Sequence, residues 1–140
     1  MVMHVVDGTN MRFGRVASQV AKKLIKGEEV SIINAEKFII VGSPDQIIER
    51  YLTKRRLRHK GTPEKSPKWS NVPHLLVKRM VRGMLPKKTS RGKDALRKLK
   101  VYTGNPKNME QNLKLENAAF DGMTKHITVY DLCRMLGYSG

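Results

Sequence analysis

An amphipathic helix pattern between two β-branched apolar segments is the feature that most constrains the fold. Three short apolar runs are typical of buried strands: "MHVVDG", "VSIIN" and "KFIIVG", residues 3–8, 30–34 and 37–42. Between the first two, Val16, Val20 and Leu24 recur at helical spacing, and Gly27 follows as an expected helix end. A strand, a helix and a second strand in this order predict a right-handed parallel crossover and therefore an α/β sheet.

Proline and hydroxyl residues mark the starts of further helices. Ser43 precedes Pro44, which is the order expected of an N-cap and a first helical residue, and Pro73 precedes another apolar helical pattern. Thr89 or Ser90 is placed to cap a helix that continues to Leu99. The remaining predicted elements are a short strand in residues 100–104 and a strand or a helix in residues 127–140.

Almost all of the excess positive charge lies in the middle of the chain. The sequence of 140 residues has 28 Lys and Arg, 12 Asp and Glu, and a net charge of +16. Residues 52–100 contain seventeen Lys and Arg but only two Asp and Glu, whereas residues 1–51 and 101–140 are nearly balanced. Neutralisation by phosphate, with release of counterions, accounts for this density better than a solvated helix face does. We therefore predict that the middle of the chain binds nucleic acid.

The composition favours RNA that is recognised by its backbone and shape. Aromatic residues make up only 6% of the chain, which argues against a protein that stacks on single-stranded bases. The sequence has no helix-turn-helix, zinc-finger or basic-zipper pattern. The density of charge alone assigns RNA contacts to five cations in the "KRRLRHK" segment: Lys54, Arg55, Arg56, Arg58 and Lys60. Two more, Lys78 and Arg79, lie outside the apolar face of the helix after Pro73.

For two further groups of residues, the sequence supports a functional and a structural interpretation equally well. Lys68, in the polar loop, is also assigned an RNA contact. Its neighbour Trp69 either covers the domain surface or packs on RNA. Arg12 and Arg15 lie where a strand leads into a helix, so they either hold a phosphate at the helix amino terminus or belong to an ordinary turn. The segment from Gly8 to Arg15 matches neither of the glycine-rich spacings that bind nucleotides.

Length and residue usage set the expected class of protein. At this length we expect one domain over residues 1–140, with a basic polar loop at 54–73 that RNA orders. No basic-then-apolar leader, membrane-length apolar run or cysteine pair is visible, and the single Cys133 lies on an apolar helical face. These features predict a cytoplasmic protein. The four histidines lack metal-ligand spacing and no acid–base pair is evident, so we expect no enzyme, cofactor, metal, membrane or small-molecule substrate.

A gapped motif in the basic region resembles the signature of the L-thirteen family of large-subunit ribosomal proteins. It consists of "VRGMLP" at 81–86, "GK" at 92–93 and "LKVYTG" at 99–104. The segments "GRVAS", "INAEKFIIVG" and "YLTKRR" are also similar to that family. The chain lacks the extra amino-terminal arm and "HTGYPGG"-like segment of bacterial members and the long carboxy-terminal helix of eukaryotic ones, so an archaeal-type member is expected.

The resemblance implies a fold and a set of contacts. The fold is a three-layer α/β/α sandwich with a mainly parallel four-stranded sheet and basic loop and helix extensions. The partners are large-subunit ribosomal RNA and neighbouring ribosomal proteins, with a role in subunit assembly. The implied RNA contacts are Arg82, Lys87, Lys88, Arg91, Lys93, Arg97, Lys98 and Lys100. Five apolar residues are expected to anchor this segment to the sheet: Met84, Leu85, Leu96, Leu99 and Val101. Gly83 and Gly92 are expected to supply backbone freedom.

The sequence is also compatible with two other functions. One is a free regulatory protein that binds messenger RNA, which the same basic surface would serve. The other is a nucleotide-using enzyme on a Rossmann-like sheet, against which the missing phosphate-loop spacing counts.

Overall fold

The computed structural model combines β-strands and α-helices and describes residues 3–57, 61, 64, 69–86 and 88–139. Its strands are β1 Met3–Asp7, β2 Glu29–Ile33, β3 Ile39–Val41, β4 Leu99–Val101 and β5 His126–Thr128. Its α-helices are α1 Phe13–Ile25, α2 Pro44–Arg56, α3 Pro73–Arg82, α4 Ser90–Arg97 and α5 Val129–Met135. Short 3-10 helices lie at Ala35–Lys37 and Glu116–Ala118. The final segment thus contains both of the elements predicted as alternatives there.

A parallel sheet forms around the predicted strand–helix–strand unit. β2 lies in the centre, with β1 on one side and β4 on the other, and both pairings are parallel. Ile32 is opposite Val6 on β1 and Val101 on β4. Residues opposite each other on neighbouring strands face the same side of a sheet, and these three side chains are buried in the same core cluster. The α/β prediction and the parallel crossover are confirmed.

The predicted four-stranded sheet and three-layer sandwich are not confirmed. β3 pairs with β5 in a separate antiparallel ladder, in which Ile40 is opposite Ile127. A single parallel bridge between Arg12 and Ile39 connects β3 to the chain that follows β1. β3 is three residues long and is followed by Gly42, whose φ of +141° is strained for other residues. Gly42 thus marks the end of β3, whose ladder partner is β5 and not a strand of the parallel sheet.

The hydrophobic core is one cluster that combines the parallel sheet with the helices. α1 contributes Val16, Val20 and Leu24 at the predicted spacing, and each is almost completely buried. The side chains of Leu76 in α3 and Leu132 in α5 are fully buried in the same cluster. Each such side chain contributes about 1.5–3 kcal/mol when it leaves water. The amino-terminal and carboxy-terminal parts of the chain therefore stabilise each other.

Cys133 is fully buried in the core, as the apolar helical spacing predicts. Burial raises the pKa of the Cys133 thiol to about 12, against the opposing charge of Arg55. The thiol is therefore protonated at neutral pH and acts as a small apolar side chain.

The ends of the helices agree with most of the signals in the sequence. Pro44 and Pro73 begin α2 and α3, although the Ser43 side chain makes no capping hydrogen bond. Of the two predicted caps for α4, Thr89 is the one used: its Oγ1 accepts a hydrogen bond from the Gly92 N–H at 3.2 Å. None of the helices that the structure describes is long and apolar enough to cross a membrane.

The boundary predicted for the basic loop is wrong at its start. α2 continues to Arg56, so residues 54–56 are helical and not part of a loop. Apart from residues 57, 61, 64 and 69–73, the rest of the segment lies outside the described residues.

Candidate nucleic-acid interface

A groove with three cations lies between the end of α3 and helix α4. It is lined by Arg82, Leu85, Gly92, Lys93, Leu96 and Arg97. The three cationic side chains are exposed, whereas Leu85 and Gly92 are buried and Leu96 is half-buried. Asp94 Oδ1 is 3.4 Å from the Arg97 guanidinium, but both side chains are more than half exposed and such pairs contribute little. The groove therefore presents net positive charge above an apolar floor.

The sequence of α4 explains how these charges come to face outward. Gly92 and Ala95 are buried, so their side of the helix packs on the rest of the protein. Lys93 and Arg97 are four residues apart and lie next to each other on the exposed side. The Thr89 cap satisfies one N–H of the first turn, which holds Lys93 in a defined position.

Most of the predicted apolar anchors of this segment are confirmed. Leu85, Leu99 and Val101 are buried, and Leu96 is half-buried against the core. Met84 is 43% exposed, so its predicted anchoring role is wrong. Gly83 has φ −63°, a conformation that any residue adopts, so the expected need for glycine there is not supported.

Two of the predicted RNA contacts also hold α4 against the end of α1. Arg91 Nη2 donates to the Ile25 carbonyl at 3.4 Å, and Lys98 Nζ donates to the Gly27 carbonyl at 3.3 Å. The carboxy-terminal end of a helix carries unpaired carbonyls and partial negative charge, which attract cations. This pairing was missed in the sequence, although the helix end at Gly27 is its signal.

A second group of cations surrounds Trp69. The Lys54 ammonium is 4.6 Å and the Arg79 guanidinium carbon 4.1 Å from the centroid of the Trp69 ring. Tyr51 contacts the indole edge to face, with ring centroids 6.0 Å apart, and burial raises the pKa of its phenol against the charge of Arg50. The half-buried indole also packs on the core, which favours the interpretation of Trp69 as a surface cover.

Helix α3 connects the two groups of cations. Arg79, next to Trp69, and Arg82, at the groove, are three residues apart and therefore neighbours on one side of the helix. Together they form the basic surface, which consists of Lys54, Arg79, Arg82, Lys93 and Arg97. It combines parts of α2, α3 and α4 into one positively charged strip.

Arg12 and Arg15 turn toward the chain itself. Arg15 Nη1 donates to the Asn117 carbonyl at 2.7 Å, and Arg12 Nη2 lies 3.7 Å from Asp121 Oδ2. The Arg12 backbone N–H also donates to the Ala118 carbonyl at 2.7 Å. These contacts favour the interpretation of an ordinary turn that holds the segment at residues 117–121.

The other predicted contacts are dispersed. Arg56 and Lys88 are exposed, Arg55 donates from Nη1 to the Trp69 carbonyl at 3.0 Å, and Lys78 is half-buried. Lys100 is exposed on the side of β4 opposite to Leu99 and Val101, and it lines a second concave site together with Asp94, Arg97 and Lys98. The structure does not describe the remaining four: Arg58, Lys60, Lys68 and Lys87.

The amino-terminal part of the sheet contains a stabilised carboxylate. Asp7 Oδ1 accepts hydrogen bonds from the Thr9 N–H, the Thr9 hydroxyl and Asn34 Nδ2 at 2.9, 2.7 and 3.1 Å. Burial opposes ionisation, but these bonds and the charge of Lys37 outweigh it and lower the pKa of the Asp7 carboxyl below 3.8. Within the described ranges, no three His, Cys, Asp or Glu side chains are grouped to bind a metal.

Comparison with known proteins adds evidence that is independent of this geometry. A family model described as Ribosomal protein L13 matches residues 1–108. A large ribosomal subunit protein uL13 from Methanococcoides burtonii is 42% identical over 139 residues, covering 96% of this chain and 98% of that protein. Proteins of the same description from Methanopyrus kandleri and Methanocaldococcus jannaschii are 40% and 38% identical, each over 96% of this chain and over 86% and 98% of their own lengths.

Proposed function

We propose a function that proceeds from one premise: the chain belongs to the ribosomal protein L13 family. It is a structural component of the large ribosomal subunit that binds and positions large-subunit ribosomal RNA and supports assembly of the subunit. The observation that carries this proposal is the basic surface, a strip of five cations from three helices in a chain of this family. The archaeal relatives agree with the archaeal type expected from the sequence.

The physical basis of binding is the arrangement of charge on a rigid support. Buried Leu85 and Leu99 hold the basic segment on the core, so Arg82, Lys93 and Arg97 face solvent at fixed separations. Because their main chain is already ordered, these residues lose little backbone entropy when they meet the phosphates of folded RNA, and each phosphate that is neutralised releases counterions. The cations position RNA backbone and need not contact bases.

The remaining assignments belong to the same proposal. The chain works as one domain, residues 54–73 contribute to RNA binding, and neighbouring ribosomal proteins complete the set of partners. Its place is the large ribosomal subunit in the cytoplasm. It performs no catalysis and needs no cofactor, membrane or small-molecule substrate, because positioning RNA needs only charge and shape.

Sedimentation of a cell lysate through a sucrose gradient at moderate salt tests this function. The chain should be recovered in near-stoichiometric amounts in the large-subunit and whole-ribosome fractions. Recovery only near the top of the gradient would contradict a structural ribosomal role and would favour the regulatory RNA-binding protein instead.

The salt dependence of binding tests the mechanism. If about eight phosphates are neutralised, the logarithm of affinity should fall with the logarithm of salt concentration at a slope of roughly −6 to −7. Filter binding of the purified protein to large-subunit ribosomal RNA of Methanococcoides burtonii measures that slope. A slope shallower than about −2 would show that the basic surface does not dominate binding.

A further inference from the structure

Trp69 lies where parts of two helices meet. Lys54 belongs to the last turn of α2, and Arg79 to the second half of α3, and both place their charge within 5 Å of the indole centroid. Lys54 is also 4.9 Å from the Tyr51 ring, so its ammonium lies near two aromatic groups. One aromatic side chain thus connects the cations of α2 to those of α3.

The electrostatics of this arrangement are unusual for a surface cover. Two like charges close to the same ring repel each other, and the repulsion is strongest where water is partly excluded. The negative face of the indole attracts both cations, and tryptophan is the best aromatic residue for this purpose. The ring therefore attracts both charges to one place on the protein, where a polyanion can contact them together.

The main chain at Trp69 is itself held in place. Arg55 Nη1 donates to the Trp69 carbonyl at 3.0 Å. The hydroxyl oxygen of the neighbouring Ser70 accepts a hydrogen bond from the Val72 N–H, also at 3.0 Å. The first bond ties Trp69 to α2, and the second defines the turn that leads into α3 at Pro73. The indole is therefore presented in a fixed position relative to both helices.

We propose that Trp69 is a positioning residue for RNA binding, which holds Lys54 and Arg79 beside the same ring so that both contact the phosphate backbone of RNA. This proposal rests on the proposed function and deepens it. The indole acts through the two cations and does not stack on a base. Lys54 and Arg79 then bind RNA as a pair, and the strip from α2 to α4 acts as one surface.

Substitution of Trp69 tests the proposal through the salt dependence of binding. In Trp69→Leu, affinity for large-subunit ribosomal RNA of Methanococcoides burtonii should fall about tenfold at 0.15 M salt, with a slope shallower by about 1 to 2. Trp69→Phe keeps an aromatic face, so its affinity and its salt slope should both be close to those of the unchanged protein. Tyr138→Leu is the matched control, because Tyr138 is a half-buried aromatic that packs on the core outside the basic surface.

A double-mutant cycle separates positioning from direct contact with RNA. If Trp69 acts through Lys54, the combined loss of affinity in Trp69→Leu with Lys54→Gln should be clearly smaller than the sum of the two single losses. Additive losses with an unchanged salt slope would overturn the proposal and indicate base stacking by Trp69. Where a thermal melt shows that Trp69→Leu is unfolded, Trp69→Met, which also removes the aromatic face, takes its place in the cycle with Lys54→Gln.

A variant of the groove distinguishes failure of this proposal from failure of the proposed function. Arg82→Gln with Lys93→Gln changes the basic surface without touching Trp69. If this variant binds the RNA weakly while Trp69→Leu binds like the unchanged protein, only the positioning role is wrong. If neither variant changes binding, the basic surface is not the RNA interface, and the main structural support for the proposed function is removed.

Discussion

The arginines at the start of α1 and the cations of the groove look alike in the sequence but have different surroundings in the structure. Arg12 and Arg15 contact Asp121 and the Asn117 carbonyl, whereas Arg82 and Lys93 are exposed at the edge of an open groove. The first pair connects two parts of the chain. The second pair faces solvent, where a phosphate can approach. Formal charge in a sequence is therefore an upper limit on the charge that is available to a partner.

Reversal of the groove charges should give the largest effect. In Arg82→Glu with Lys93→Glu and Arg97→Glu, we expect RNA affinity to fall by about two powers of ten and the salt slope to become shallower by about 2 to 3. Thermal unfolding should change little, because all three side chains are exposed. Filter binding over a salt series and a thermal melt measure the two quantities.

The control for this variant changes the same number of charges elsewhere. Lys22, Lys114 and Lys125 are exposed and lie outside the basic surface, so their reversal to Glu tests net charge alone. Equal loss of affinity in both triple variants would show that overall charge, and not the groove, determines binding.

Removal of the two arginines at the start of α1 should give an effect of intermediate size, which lowers stability and leaves RNA binding unchanged. In Arg12→Ala with Arg15→Ala, we expect the free energy of unfolding to fall by about 1–2 kcal/mol, because an ion pair and a hydrogen bond to a main-chain carbonyl are lost. Denaturant unfolding measures this change. The salt slope of RNA binding should remain that of the unchanged protein, and a shallower slope would restore the interpretation of a phosphate site at α1.

The smallest effect is expected from Asp7, through pH. The pKa of its carboxyl is lower in the folded protein than the ordinary value of 3.8, so the ionised form favours folding. This stabilisation is fully present above pH 3.8 and is lost as pH falls through the lowered pKa. Asp7→Asn should therefore unfold with a weaker pH dependence in acid than the unchanged protein, as measured by denaturant midpoints between about pH 2 and 5.

RNA binding at neutral pH is the control measurement for Asp7→Asn. The variant should bind RNA with an unchanged salt slope, because Asp7 interacts with Thr9 and Asn34 and not with the basic surface. A pH dependence identical to that of the unchanged protein would show that ionisation of Asp7 is not coupled to folding.

Local features of the fold could be predicted because their signals lie within a few residues of each other. The spacing of Val16, Val20 and Leu24 predicted the buried side of α1, and Pro73 marked the first residue of α3. The partner of β3 could not be predicted in this way. β5 begins at His126, far along the chain, and three residues carry too little pattern to show which sheet they join.

The candidate site shows the same division. The excess of Lys and Arg in residues 52–100 predicted which part of the chain binds RNA, and the resemblance to a ribosomal family selected residues 81–104. Which cations are available depended on neighbours that are distant in sequence. Arg91 and Lys98 bond to carbonyls at the end of α1, and Arg55 bonds to the Trp69 carbonyl.

The sequence by itself determined the α/β class, the amphipathic side of α1, the basic character of the middle of the chain and the family. These properties depend on composition, on short-range periodicity and on a long specific motif. Only the tertiary structure decided that β3 pairs with β5, that Arg12 and Arg15 are used internally, and that α3 joins two groups of cations through Arg79 and Arg82. The physical reason is that each of these outcomes depends on contacts between side chains or strands whose separation in sequence leaves no local pattern.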